Sequence, residues 1–209
     1  MRPRILQIHP LDNAIVALDN LHRGDIVLDG GANVGVFTRE ALNLGAARVI
    51  AIEPGPENVA ALRRTFAAET ETGQVVVYPK GIWDKDDVLT LNVFPHNSGA
   101  DSFVVSGPAP HTEVKIPLTT IDNLVLELGL PRVDFIKLDI KGAAPKALAG
   151  AKQTLAAFHP RLAVSTEEPK DFPAFIQEPI ASSWPGYRRE CGMCELFREG
   201  FVPMVMFYR

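Results

Sequence analysis

The chain has no long apolar run, few cysteines and little net charge, and each shortage removes a class of function. No stretch approaches the roughly 20 apolar residues that a membrane-spanning helix needs. The basic start Met1-Arg2-Pro3-Arg4 is not followed by the apolar segment of a secretory signal. A net charge of −4 gives no electrostatic case for nucleic acid. Two cysteines do not make a disulfide framework. Cys191 and Cys194 form a lone C-x-x-C with no second pair or spaced histidines after it. A structural zinc site is therefore not expected, and the two are read as ordinary thiols. What is left is a cytoplasmic protein of 209 residues, 46% hydrophobic, enough for one domain with a real core.

One further absence is informative. The stretch I-V-L-D-G-G-A-N-V-G-V-F over 26–37 reads as strand, glycine-rich turn and helix start. A second apolar run over 49–52 ends in Glu53-Pro54. This is the nucleotide-binding half of a doubly wound sheet, yet the middle glycine that brings a backbone against a pyrophosphate is Ala32. The first strand also ends in Asp29, whose carboxylate would repel phosphate. An acid there suits a cationic ligand without phosphate, and S-adenosylmethionine, with its ammonium and sulfonium, is one. The expected cofactor contacts are Asp29, Gly30, Gly31, Asn33 and Gly35 in the turn, and Glu53 with Pro54 at the ribose hydroxyls. An empty βαβ unit, or one binding NAD, is the competing reading.

Along the chain, residues 1–25 read as an N-terminal extension and 26–209 as the domain. The run over 8–25 is similar to the opening of the small N-terminal domain of altronate-dehydratase-type enzymes, and is taken as a fragment without its own function. Strands are expected at 26–29, 48–53, 75–78, 88–94, 114–117, 133–140 and 160–166. Helices are expected at 35–44, 56–68, 119–128 and 145–158, with a short one from Pro169 and loop over 178–187. A hairpin of 187–193 and 201–208 closes the sheet. Residues 95–112, rich in Gly, Ser, His and Pro, read as a lid-like insertion. Trp83 could cover an adenine ring with Asp84 accepting from its amino group, or Trp83 is simply a half-buried loop aromatic.

Six segments in order, D-G-G-A-N-V-G-V-F-T, A-I-E-P-G-P-E-N, P-K-G-I-W-D-K-D-D, I-P-L-T-T-I-D-N-L, V-D-F-I-K-L-D-I-K-G-A-A-P-K-A-L-A-G-A and P-R-L-A-V-S, together resemble the FkbM-type family of S-adenosylmethionine-dependent methyltransferases. The resemblance implies a class I methyltransferase fold: a seven-stranded, mostly parallel α/β sheet with helices on both faces and a terminal antiparallel hairpin. It also implies O-methylation of a sugar, glycan or natural product. The family carries acids where this chain has Lys141 and Ala144, which bears on catalysis rather than on cofactor binding.

The catalytic candidates stand at the ends of the fourth and fifth core strands. They are Asp139 and Glu167. With Glu168 they could instead hold Mg²⁺, a hard cation that takes oxygen ligands. Glu167 and Glu168 read equally well as acids at a helix start. Without a metal, Asp139 or a lid histidine, His96 or His111, would take the proton of the acceptor hydroxyl. Lys137, on the face opposite Ile136 and Leu138, would pair with Asp139 or snorkel. The expected partner is a small-molecule or carbohydrate acceptor. Two alternatives stay open: a non-catalytic S-adenosylmethionine-binding regulator, and an NAD-linked oxidoreductase.

Overall fold

The computed structural model describes residues 17–94, 101–103, 111–166, 173–197 and 200–209. In chain order the strands are β1 (Ile26–Gly30), β2 (Arg48–Ile52), β3 (Val75–Tyr78), β4 (Gly81–Ile82), β5 (Asp87–Val93), β6 (Thr112–Thr119), β7 (Phe135–Leu138), β8 (Arg161–Ser165), β9 (Arg189–Phe197) and β10 (Gly200–Tyr208). The helices are α1 (Val36–Asn43), α2 (Pro56–Thr65), α3 (Ala67–Glu71), α4 (Ile121–Glu127), α5 (Ala144–Ala149), α6 (Lys152–Phe158) and α7 (Pro173–Ser183). Seven strands form the main sheet in the order β3-β2-β1-β7-β8-β10-β9. Its first five strands are parallel and β10 is antiparallel to both neighbours. The expected α/β fold with its terminal hairpin is present. A second sheet, β4-β6-β5, contains the expected antiparallel pairing of the two strands around the insertion.

Central parallel strands are covered on both faces, so their alternating side chains enter two different cores. Ile26, Leu28, Ile50, Ile52, Ile136 and Leu138 pack under α4 to α7. Val27, Val49 and Phe135 pack with Phe37 and Ala41 of α1, joined by Ala17 and Leu21 from around the 3₁₀ turn Leu18–Asn20. By the same alternation Asp29 and Lys137 fall on the α1 face, side by side on neighbouring strands.

Four elements depart from expectation. The helix over 56–68 breaks at Phe66, whose backbone leaves the helical region while its ring becomes fully buried between α2 and the glycine turn. The helix over 145–158 is two helices, parted at Gly150, where the Trp83 carbonyl approaches too closely for a side chain. Residues 178–183 are helix rather than loop. Pro179 sits inside α7, tolerated because it is buried with Ile176 and Ile180, and the Ser182 and Ser183 hydroxyls both donate to its carbonyl, at 3.3 and 2.7 Å. Packing there outweighs the local penalty of proline. Finally, Cys191 and Cys194 are joined as a disulfide, which corrects their reading as free thiols. Two residues three apart on a flat strand face opposite sides about 10 Å apart. Here their Cα atoms are 6.0 Å apart, because the β9–β10 register shifts between Pro203 and Met206.

Candidate active site

The glycine turn joins the C-terminal end of β1 to α1. Gly31 and Ala32 donate their backbone N–H groups to the Ile52 carbonyl, tying the turn to β2. Gly31, Asn33 and Gly35 all have positive φ, at 77°, 50° and 92°. A side chain on Gly31 would strike the Asp139 carbonyl, and one on Gly35 the Phe66 ring. Glycine is therefore required at both positions by conformation and by space.

Asp29 lies beneath this turn rather than in it. It is fully buried, with Thr38 Oγ1 donating to Oδ2 at 2.7 Å and Lys137 Nζ to Oδ1 at 3.0 Å. Asp29 and Lys137 are register partners on neighbouring strands. Lys137 Nζ also donates to the Gly31 carbonyl at 2.8 Å and lies 5.7 Å from the centre of the Phe37 ring. This corrects the expected pairing of Lys137: its partner is Asp29, and Asp139 is paired instead with Lys141. Sequence reasoning missed the pair, although a lysine and an aspartate at matching parity on adjacent apolar strands were the available signal.

Glu53 directly follows β2 and is buried, with Oε2 accepting from Asn33 N–H at 2.8 Å. Its Oε1 accepts from Gly55 N–H at 2.8 Å and the Asn58 amide at 3.3 Å. Burial pushes its carboxyl above the usual range, opposed by these three donors and assisted by the charge of Asp101. The three bonds leave one acceptor site on a carboxylate that offers about four.

Glu53 is in the wall of a cleft lined also by Gly31, Asn33, Pro54, Ile82, Asp101, Phe103, Asp139 and Lys141. The cleft thus collects Gly31, Asn33, Glu53, Pro54 and Asp139 from among the expected residues. Gly30 and Gly35 shape the turn without lining it. Trp83 and Asp84 stand beside the cleft, not in its wall. Trp83 meets Phe103 edge-on at 6.4 Å, and Asp84 binds Lys146 at 2.6 Å. Lys80, Asp101 and Phe103 are wall residues that sequence reasoning did not single out. They come from a loop and an insertion whose periodicity carries no signal.

At the end of β7, Asp139 Oδ1 is 3.3 Å from Lys141 Nζ. Lys141 has φ 43° and Gly142 φ 88°, a left-handed pair that carries the chain away from the sheet. Glu167, Glu168 and His96 lie outside the described residues. His111 is exposed and packs on Phe94 at 5.4 Å, away from the cleft wall. Among the described residues no three His, Cys, Asp or Glu side chains cluster as metal ligands. Of the expected metal ligands Asp139 alone is described, and it faces the Lys141 ammonium, so no step is derived through a cation. The residues do fit S-adenosylmethionine: a carboxylate with a free acceptor site for ribose, and a turn that presents Gly31, which has no side chain, to the cleft.

Comparison with known proteins agrees. The chain is 24% identical over 188 residues to the 31-O-demethyl-FK506 methyltransferase FkbM of Streptomyces tacrolimicus, covering 77% of this chain and 71% of that protein. It is 24% identical over 179 residues to the methyltransferase sdnD of Sordaria araneosa, covering 72% and 69%. Among solved structures, methyltransferase FkbM of Methylobacillus flagellatus superposes with a TM-score of 0.62 at 21% identity. That match covers 89% of this chain, which spans only 44% of the longer protein. An O-methyltransferase of Bacillus cereus, solved with S-adenosylhomocysteine, gives a TM-score of 0.54 at 11% identity, covering 96% and 80%, and so shares the fold. The model of the methyltransferase FkbM domain matches residues 29–193, from the aspartate of β1 into β9. That is well over half of the sequence, and the chain belongs to the FkbM methyltransferase domain family.

Proposed function

We propose that the protein transfers a methyl group from S-adenosylmethionine to a hydroxyl oxygen of a sugar, glycan or natural product. The observation that carries this reading is Glu53, a buried carboxylate just after β2 beside the Gly31 turn, in a cleft at the C-terminal ends of the strands. In open α/β sheets ligands bind at that edge. The O-methyl chemistry is supported by the name of the Streptomyces tacrolimicus relative. Family membership removes the NAD-linked alternative.

When bound, the cofactor supplies a methyl group already activated by its sulfonium. Glu53 accepts from a ribose hydroxyl, and the Gly31–Asn33 backbone receives the methionine end. Asp29 acts through the turn it anchors rather than by contact. Asp139 faces the cleft as the base that accepts the acceptor hydroxyl's proton, and alignment of that hydroxyl is the largest contribution the protein can make. Glu167 and Glu168 follow β8, the neighbour of β7, and are proposed as acceptor-side carboxylates.

The second reading, a non-catalytic S-adenosylmethionine-binding protein, is favoured by one feature, the Lys141 ammonium at Asp139. Release of S-adenosylhomocysteine, measured over a panel of sugars and polyols with and without Mg²⁺, separates the two. Turnover that disappears in Asp139→Ala while cofactor binding persists supports the first. Binding without turnover on any acceptor supports the second.

A further inference from the structure

The outer wall of the cleft is a short strap, Asp101-Ser102-Phe103. It is fastened at several points. Ser102 exchanges backbone hydrogen bonds with Asn92 of β5 at 3.1 and 3.2 Å, and its hydroxyl donates to the Lys141 carbonyl at 2.9 Å. Asp101 Oδ1 accepts from Phe94 N–H at 2.9 Å. The Phe103 ring lies over Gly81, where a methyl group would be 2.7 Å from it, and meets Trp83 edge-on.

We propose that this strap is the second wall of the nucleoside site, with Asp101 accepting from a ribose hydroxyl opposite Glu53 and Phe103 covering the purine ring. The inference rests on the reading of the cleft as an S-adenosylmethionine site. Its geometric basis is that Glu53 and Asp101 both line the cleft, near enough for the charge of Asp101 to raise the Glu53 carboxyl. Glu53 Oε1 already accepts from Gly55 N–H and the Asn58 amide, so Glu53 Oε2 and Asp101 Oδ2 are the oxygens left for the two hydroxyls of a diol, and the two carboxylates repel a phosphate. Beyond them the wall is apolar, formed by Ile52, Ile82, Leu91 and Phe103. A flat apolar base attached to a diol matches both halves. Burial raises the Asp101 carboxyl as it does that of Glu53, and a pair of neutral O–H donors is what such acids lack.

The test is calorimetric titration of the full chain with S-adenosylhomocysteine and with adenosine, for the parent, Asp101→Asn, Phe103→Ala and Glu53→Gln. Asp101→Asn keeps an oxygen for Phe94 N–H but turns an amide toward the diol. Both strap variants are expected to weaken both ligands by about tenfold while the ligand-free proteins unfold at the parental temperature. If Phe103→Ala loses stability, Asp101→Asn carries the comparison alone. Parental affinity in Asp101→Asn and Phe103→Ala, with weakened binding in Glu53→Gln, overturns the role of the strap and leaves the cofactor reading standing. No binding of either ligand by the parent overturns both.

Discussion

At the scale of single residues, the most consequential contact is Lys137 with Asp29. Both charges are out of water, and each is satisfied by the other and by one more bond, to the Gly31 carbonyl and from the Thr38 hydroxyl. Breaking one side of such a pair leaves an uncompensated buried charge. Lys137→Met is therefore expected to cost about 3–5 kcal/mol, read by urea unfolding. Lys137→Met combined with Asp29→Asn should cost clearly less than the sum of the two single changes. Additive costs would mean that the two side chains do not act as a pair.

A second residue-level prediction concerns Tyr208, buried in β10 with its hydroxyl unpartnered among the described residues. Burial pushes its hydroxyl from 10.0 up to about 12. The folded state thus holds the proton more tightly than the unfolded chain. The resulting stability is complete below pH 10 and is lost as pH rises from 10 through 12. Tyr208→Phe should flatten this alkaline decline, followed by unfolding at several pH values. An unchanged decline would place its source elsewhere.

Among the elements, the turn between β1 and α1 and the hairpin β9–β10 are the two with special requirements. Gly35→Ala imposes the cost of a left-handed residue, about 1–2 kcal/mol, and also drives a methyl group into Phe66. Loss of stability beyond that range, with weakened S-adenosylhomocysteine binding, is the expected outcome. In the hairpin, the disulfide constrains only a four-residue loop, so its entropic contribution is limited to about 2 kcal/mol. Reduction is expected to leave the molecule folded and to speed hydrogen exchange in β9 selectively. Global unfolding on reduction would contradict this. The proline inside α7 and the breaks at Phe66 and Gly150 also belong here. Proline and glycine signals predicted a loop in the first case and gave no break in the other two, because a distant surface decided each one.

For the whole molecule, the sheet gathers its chemistry at one edge, where β1, β2 and β7 end together. A ligand that binds only the folded state stabilises it by mass action. S-adenosylhomocysteine at about 100 times its dissociation constant should add about 2.7 kcal/mol to stability, seen as a rise in unfolding temperature. NAD at the same concentration should produce none. A shift with NAD alone would defeat the cofactor assignment.

The fold class, the alternation of strands and helices along the core, and the positions of the glycine turn, Glu53 and Asp139 are legible in the chain's order of residues. These follow from local signals: apolar runs, turn residues and acids at strand ends. How the charges are used depends on the folded packing. A strand's parity sends Asp29 inward, but the identity of its partner, 108 residues away, depends on register between β1 and β7. The same holds for the outer wall of the cleft. Asp101 and Phe103 sit in a segment without periodicity, and their approach to Gly55 and Gly81 exists only once the two sheets are folded against each other.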